Sequence, residues 1–269
     1  MKALTFTLRA APPERLDLSP LTPQGLAGLD KRAIQAIRLG QSKLASTVGD
    51  IFRIAGSNAN SLVFEGGSSR FDGVATGMTE GTVRVAGDVG AQAGRGMRGG
   101  QLTIEGDAGP HAGSGMRGGR LEIIGSAGDH LGAPLAGELA GMNGGVLIVR
   151  GRAGAFAADR MRRGLIAVLK GCGDHAGSRM IAGTLVVTGG AGEMPGYLMR
   201  RGSILLDRAP KSLSPSFVEC GAPDSVFAAL MDRHLVTEDI LKRPLLGRAP
   251  RRYGGDNAAL GLGEILFPA

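Results

Sequence analysis

With 269 residues, 43% of them hydrophobic, the chain is long enough for one large domain or two ordinary ones built around a real core. Its 47 glycines follow no collagen triplet and sit in no polar low-complexity tract, so they ask for many tight turns and exclude a helical domain. The net charge of +7 is carried by residues 1–208, with residues 209–269 neutral, and two cysteines without CxxC spacing exclude a disulfide framework and point to the reducing cytoplasm.

The opening "MKALTFTLRAAPPERL" has no uninterrupted apolar core, and no run of about 18 apolar residues follows anywhere, so neither secretion nor a membrane span is expected. Residues 1–45 read as a cap segment. Within it, residues 24–40 carry Leu29, Ala33, Ile34 and Ile37 at helical spacing and stop at Gly40, which predicts one helix covering a strand edge. The stretches "GDIFRIAG" and "NSLVFEGG", between Gly49 and Gly67, predict one or two irregular coils at the start of a stack.

Residues 46–208 repeat. Met78, Met97, Met116, Met142, Met161, Met180 and Met199 recur at intervals of 19, 19, 26, 19, 19 and 19 residues. A glycine stands three places after each, and aliphatic residues follow at the fifth and seventh places, as with Leu102 and Ile104 or Leu121 and Ile123. Alternation bounded by glycines predicts short strands. A unit this small cannot bury its own apolar side, so copies must stack. The expected fold is all-β, a right-handed parallel β-helix about 35 to 45 Å long at about 4.8 Å per coil. Methionine then fills the narrow interior, and small residues such as Val89, Ala108, Ala127, Ala153 and Ala191 let walls approach. The longer interval before Met142 predicts a loop extruded within residues 129–141.

Three patterns in the repeats invite a chemical reading. His111, His130 and His175 share one place in their units, but side chains of a ladder point the same way and do not converge as metal or acid-base chemistry requires. "GRGMRGG" and "GSGMRGG" lack the Lys-Ser/Thr and the helix of a phosphate loop. No catalytic or metal-binding group is therefore assigned. The third pattern is basic. Arg98, Arg117, Arg162 and Arg200 directly follow a Met, and Arg163 and Arg201 come one place later, which predicts a positive stripe on one corner. Two readings stay open: local pairing with Glu80, Asp107, Asp159 or Glu193, or binding of a polyanion. Nucleic acid is disfavoured because no aromatic residues interleave.

The outward places change character along the repeats. Thr82, Arg84, Gln101 and Thr103 give way to Val146, Ile148, Leu165, Val186 and Leu205. A contiguous apolar wall is normally covered. These five residues are the expected partner interface, covered by another subunit or by the chain's own residues 209–269, in which "SVFAALMDRHL", residues 225–235, predicts an amphipathic helix. Residues 209–269 read as a docking or capping tail, with Arg248, Arg251, Arg252 and Tyr253 as a second candidate contact.

The phrase G-x-x-M-x-x-G-x-[LI]-x-[IV]-x-G is complete at residues 94–106, 113–125 and 177–189. It resembles the repeat of the C subunits of formylmethanofuran dehydrogenase and of its bacterial relative, the formyltransferase/hydrolase complex of methylotrophs. A similar repeat forms the C-terminal domain of glutamate synthase. The ending "RRYGGDNAALGLGEILFP", residues 251–268, looks like the tail of the formylmethanofuran group and favours it over a glutamate-synthase-like spacer of nitrogen metabolism. The Arg- and Ala-rich composition favours the bacterial complex over the Mo/W dehydrogenase. The resemblance implies a noncatalytic scaffold beside a formyltransferase subunit, an amidohydrolase-like subunit and a further subunit. That complex takes formyltetrahydromethanopterin through a formylated methanofuran-type intermediate to formate in formaldehyde oxidation. It also implies a furan cofactor with a polyglutamyl tail, for which Arg98, Arg117, Arg162, Arg163, Arg200 and Arg201 are the expected contacts. A sugar-active enzyme would show paired carboxylates and grooved aromatics, and this chain shows neither.

Overall fold

The computed structural model describes residues 2–40, 45–221 and 225–269. The N-terminal segment supplies β1 (Ala3–Leu8), β2 (Leu16–Asp17), α1 (Pro23–Leu26) and α2 (Lys31–Gln35). A third short helix, α3 (Val48–Ile51), leads into β3 (Phe52–Ala55), β4 (Asn58–Glu65) and β5 (Phe71–Asp72). The repeats contribute β6 (Thr82–Ala86), β7 (Gln101–Ile104), β8 (Arg117–Ile123), β9 (Asn143–Val149), β10 (Arg163–Val168), β11 (Thr184–Val187) and β12 (Arg201–Leu206). Beyond them come β13 (Val218–Cys220), α4 (Ser225–Thr237), β14 (Arg251–Gly255) and β15 (Leu262–Phe267).

The protein is mostly β. One mixed sheet of 13 strands runs β13-β14-β15-β12-β11-β10-β9-β8-β7-β6-β4-β1-β3 and is not closed. From β1 to β15 its neighbours are parallel, and antiparallel pairs stand only at the two ends. The aliphatic residues five places after each Met pair in one file: Val83 with Leu102, Leu121, Leu147, Ile166, Leu185 and Ile204 in turn. Single parallel bridges join Val89, Ala108, Ala127, Ala153, Cys172 and Ala191 in another. Burial pushes the Cys172 thiol up to about 12, so it packs in that file as a small apolar group.

The seven methionines are fully buried. Their spacing to glycine has a physical cause that crosses between repeats. Gly119 has φ +81°, and a Cβ there would stand 2.7 Å from the Met97 methyl; at Gly145 the intruder would be the Met116 methyl at 2.8 Å. Met97, Met116, Met142, Met161 and Met180 thus each fill the space beneath the next repeat's glycine, and Met199 does the same for Gly263 of β15. Register survives the long interval, because Leu121 still pairs with Leu147. The extra residues leave as a loop closed where the Met142 N–H donates to the Gly132 carbonyl at 2.7 Å.

The N-terminal end differs from expectation in two ways. Residues 24–40 do not form one helix: Gly28 turns the chain at φ +76°, and the Asp30 carboxylate caps α2 by accepting from the Ala33 N–H. "GDIFRIAG" is not a coil of the stack, because β3 runs antiparallel to β1, which itself lies between β3 and β4. Phe6, Phe52, Phe64 and Phe71 explain this ending, with Phe6 stacked on Phe64 at 4.9 Å and Phe52 edge-on to Phe6 at 5.9 Å. Rings this wide need a broader interior than the methionine section provides.

For the apolar outer wall the structure selects one of the two covers expected, the chain's own C-terminal segment. Ile148, Val186 and Leu205 are fully buried, Leu165 is nearly so and Val146 is half-buried. They form a second core with Phe227, Ala228, Met231 and Leu235 of α4 and with Ile240, Leu241, Leu245 and Leu246 behind it. The five residues expected as a partner interface are thus covered by this chain's own C-terminal segment. Covering one large aliphatic side chain is worth about 1.5 to 3 kcal/mol, which ties α4 to the sheet. Arg150 fastens the segment through hydrogen bonds to the Asp239 and Ile240 carbonyls at 2.9 and 3.1 Å.

Candidate functional site

The corner that follows each Met is set by backbone hydrogen bonds between repeats. The N–H groups of Arg98, Arg117, Arg162 and Arg200 donate to the carbonyls of Met78, Met97, Met142 and Met180 at 2.7 to 2.8 Å. All six stripe arginines, these four with Arg163 and Arg201, are exposed. Among the described residues none of the six has an ion pair or a side-chain hydrogen bond. The carboxylates expected as their partners are committed elsewhere or left apart. Asp159 takes both forks of Arg179 at 2.7 and 2.9 Å, and Asp107 accepts the Ser126 N–H at 2.7 Å. Asp88, Asp129 and Asp174 do the same for the repeat above, so a turn carboxylate belongs to the ladder and not to the stripe.

The stripe is two groups. Arg98 and Arg117 line a groove of about 590 Å³ with Arg95, Ser114 and Asn143. Arg162, Arg163, Arg200 and Arg201 line a hollow of about 300 Å³, where Ile181 and Ala182 interrupt the charge. In the first groove the Ser114 Oγ and Asn143 Oδ1 are buried without a hydrogen-bond partner.

The extruded loop stands between the groups. Glu138 accepts from the Leu135 N–H at 2.9 Å and from Arg95 at 3.0 Å, and these bonds hold its carboxyl below the usual range. Arg160 donates to the Glu138 carbonyl at 3.3 Å. A third depression of about 810 Å³ opens beyond the loop, lined by Leu139, Arg160, Arg179, Ile181, Leu198, Arg200 and the turn Ala258, Ala259, Leu260. Sequence reasoning missed this basin. Its one signal was the break in the period, because the turn before β15 is remote in sequence from every other residue that lines it.

The remaining candidates carry no converging chemistry. His111, His130, Phe156 and His175 stack ring on ring at 4.8, 5.3 and 5.0 Å, and each adopts a positive φ. Among the described residues no three His, Cys, Asp or Glu groups are placed to hold a metal ion. The tail cluster is compensated internally: Arg251 pairs with Glu219 at 2.7 Å and Arg252 with Glu264 at 3.0 Å. Arg248 has no such ion pair among the described residues, and Arg251 and Arg252 stay partly exposed. Among the described residues no helix is long and apolar enough to cross a membrane.

These features define a repeat-built, mostly β protein with a corner of exposed arginines that lack carboxylate partners among the described residues. No protein-family model matches the chain. It is 48% identical over 265 residues to the Fhc C subunit of the formyltransferase/hydrolase complex of Methylorubrum extorquens, covering 98% of this chain and 99% of that one. It also superposes, with a TM-score of 0.94 and 45% identity over 98% of this chain and 99% of the other, on a chain in the crystal structure of the formyltransferase/hydrolase complex FhcABCD of the same organism in complex with methylofuran. The chain belongs to the family of C subunits of formyltransferase/hydrolase complexes.

Proposed function

We propose that the protein is the noncatalytic C subunit of a formyltransferase/hydrolase complex that carries a formyl group from formyltetrahydromethanopterin, through a methylofuran-type intermediate, to formate. The formyl transfer and hydrolysis belong to companion subunits, one a formyltransferase and one amidohydrolase-like. This chain supplies a rigid column on which they are held at a fixed separation. In this reading residues 1–45, with α3 and β3 added, cap the column, the repeats within residues 46–208 wind as a right-handed parallel β-helix, and residues 209–269 cover and dock. The two parallel files at a 19-residue offset support the winding.

The observation that carries the role of the corner is the set of six exposed arginines without a carboxylate. Like charges in a column repel, at a cost a folded protein relieves by pairing or by binding an anion. A polyglutamyl cofactor tail offers carboxylates at a repeat that several forked guanidinium groups can meet at once. Arg98, Arg117, Arg162, Arg163, Arg200 and Arg201 hold and steer that tail in this reading. Replacing Arg98, Arg117 and Arg162 together by Gln is expected to lower cofactor retained by the purified complex by about tenfold or more, with subunit stoichiometry unchanged. Cofactor content measured after gel filtration in about 0.5 M salt tests it, since screening exposes weakened charge pairing. Undiminished content in the triple variant would remove the tail from this corner.

A further inference from the structure

Two separate departures from the repeat converge on one surface. The extruded loop presents Leu139 at 89% exposure, and the turn between β14 and β15 presents Leu260 at 57%. Both side chains border the same basin, with the half-buried Ile181 and Leu198 between them and Arg160 and Arg200 at its edge. A leucine this exposed on a soluble protein gains nothing where it stands, and two around one depression form the kind of patch that marks an interface.

Neither leucine sits on a slack turn. The Leu139 loop is held by the Glu138 bonds to Leu135, Arg95 and Arg160 and by the Gly141 N–H on the Arg160 carbonyl at 3.0 Å. The Leu260 turn is held by Asp256, fully buried. Its carboxylate accepts from the Leu198 and Ala258 N–H groups at 2.9 Å each, and its carbonyl accepts from Ala259 and Gly261 at 2.9 and 3.0 Å. Hydrogen bonds have fixed both apolar knobs in advance, which lowers the ordering cost of binding.

We infer that the basin between Leu139 and Leu260 is a docking site for an amphipathic, acidic segment of a companion protein subunit. The inference rests on the reading of the chain as a complex subunit and names one of its contacts. The occupant is fixed by two chemistries together. Apolar side chains must cover Leu139, Leu260, Ile181 and Leu198, which a chain of glutamyl carboxylates cannot do. A carboxylate must meet Arg160, since Arg179 is already spent on Asp159 and Arg200, on the far edge, belongs to the stripe. A second copy of this chain fits poorly, because a two-fold contact would set arginine rim against arginine rim in a chain of net charge +7.

The test is recovery of this chain with a tagged companion protein of the complex, comparing wild type with the Leu139→Asp/Leu260→Asp and Leu139→Met/Leu260→Met pairs. The aspartate pair is expected to lower recovery by about tenfold or more at matched dilution, and the methionine pair to restore it. Circular dichroism and the melting midpoint of the isolated aspartate variant stay those of wild type, because both side chains face solvent. Equal recovery of the aspartate pair overturns the proposal. So does a wild-type chain that is dimeric alone and made monomeric by the aspartates, which would assign the basin to self-contact. If wild type itself does not come down with the companion, the subunit reading fails and this site with it. The arginine triple is read by cofactor content instead, so the two failures are distinguishable.

Discussion

Met116 and Gly145 show how one residue type joins two repeats. The methyl of Met116 lies under the α-carbon of Gly145, so truncation opens a void that the rigid glycine turn above cannot collapse into. Met116→Ala is expected to destabilise the protein by about 2 to 5 kcal/mol, read as a shift of the urea midpoint at unchanged slope. His111 carries a second prediction. Burial, with a smaller contribution from the charge of His130, holds its pKa below the ordinary value near 6.5. The folded state therefore favours the neutral ring, while the unfolded chain takes up a proton first as pH falls. The His111 contribution to stability is whole above about pH 6.5, declines as pH falls from there toward the folded value, and is flat below both. Unfolding free energies of wild type and His111→Phe, measured between pH 8 and 5, should therefore change relative to one another, with wild type losing more toward acid; Phe156 already occupies the equivalent place in its own repeat. At this scale the methionine core was plain in the spacing. The unpaired state of the arginines was not, because Asp107 and Asp159 are near enough in sequence to serve and are turned to other partners by the fold.

Helix α4 illustrates what elements add. Its existence could be read from the apolar spacing of residues 225–235, and the wall it covers from the change of Thr82 and Arg84 to Ile148 and Leu205. That the one lies on the other is a matter of the chain's return path. Asp232, nearly fully buried, secures that path by accepting the N–H groups of Leu245, Leu246 and Gly247 at 2.7, 3.0 and 2.9 Å. Asp232→Ala leaves those donors unpaired beside the second core, at an expected cost of about 3 kcal/mol. Limited proteolysis should then cut between residues 238 and 250 at least tenfold faster, while the repeats stay resistant; unchanged cleavage would show the return path to be held by apolar packing alone. The predicted single helix over residues 24–40 failed for a related reason. Its periodicity was sound, but Gly28 and the Asp30 cap offered a local stop that hydrophobic spacing does not register.

At the scale of the whole molecule, the 13-stranded sheet has its parallel interior dictated by repetition and its two ends improvised. Each end turns antiparallel, through β3 at one side and through β14 and β13 at the other, which limits how far strand edges can template addition of another chain. The sequence by itself determined the period, the inward file, the burial of methionine and the basic corner, because stacking identical units leaves one way to bury their apolar side. Only the tertiary structure decided which carboxylates the arginines lack, what covers the apolar wall, and that Leu139 and Leu260 share a basin. The first depends on hydrogen bonds between neighbouring repeats, as for Asp107 across 19 residues. The other two depend on where non-repeating segments fold back, Ile240 reaching Arg150 across 90 residues and Leu260 meeting the basin of Leu139 from farther still, and no local pattern records a contact at that distance.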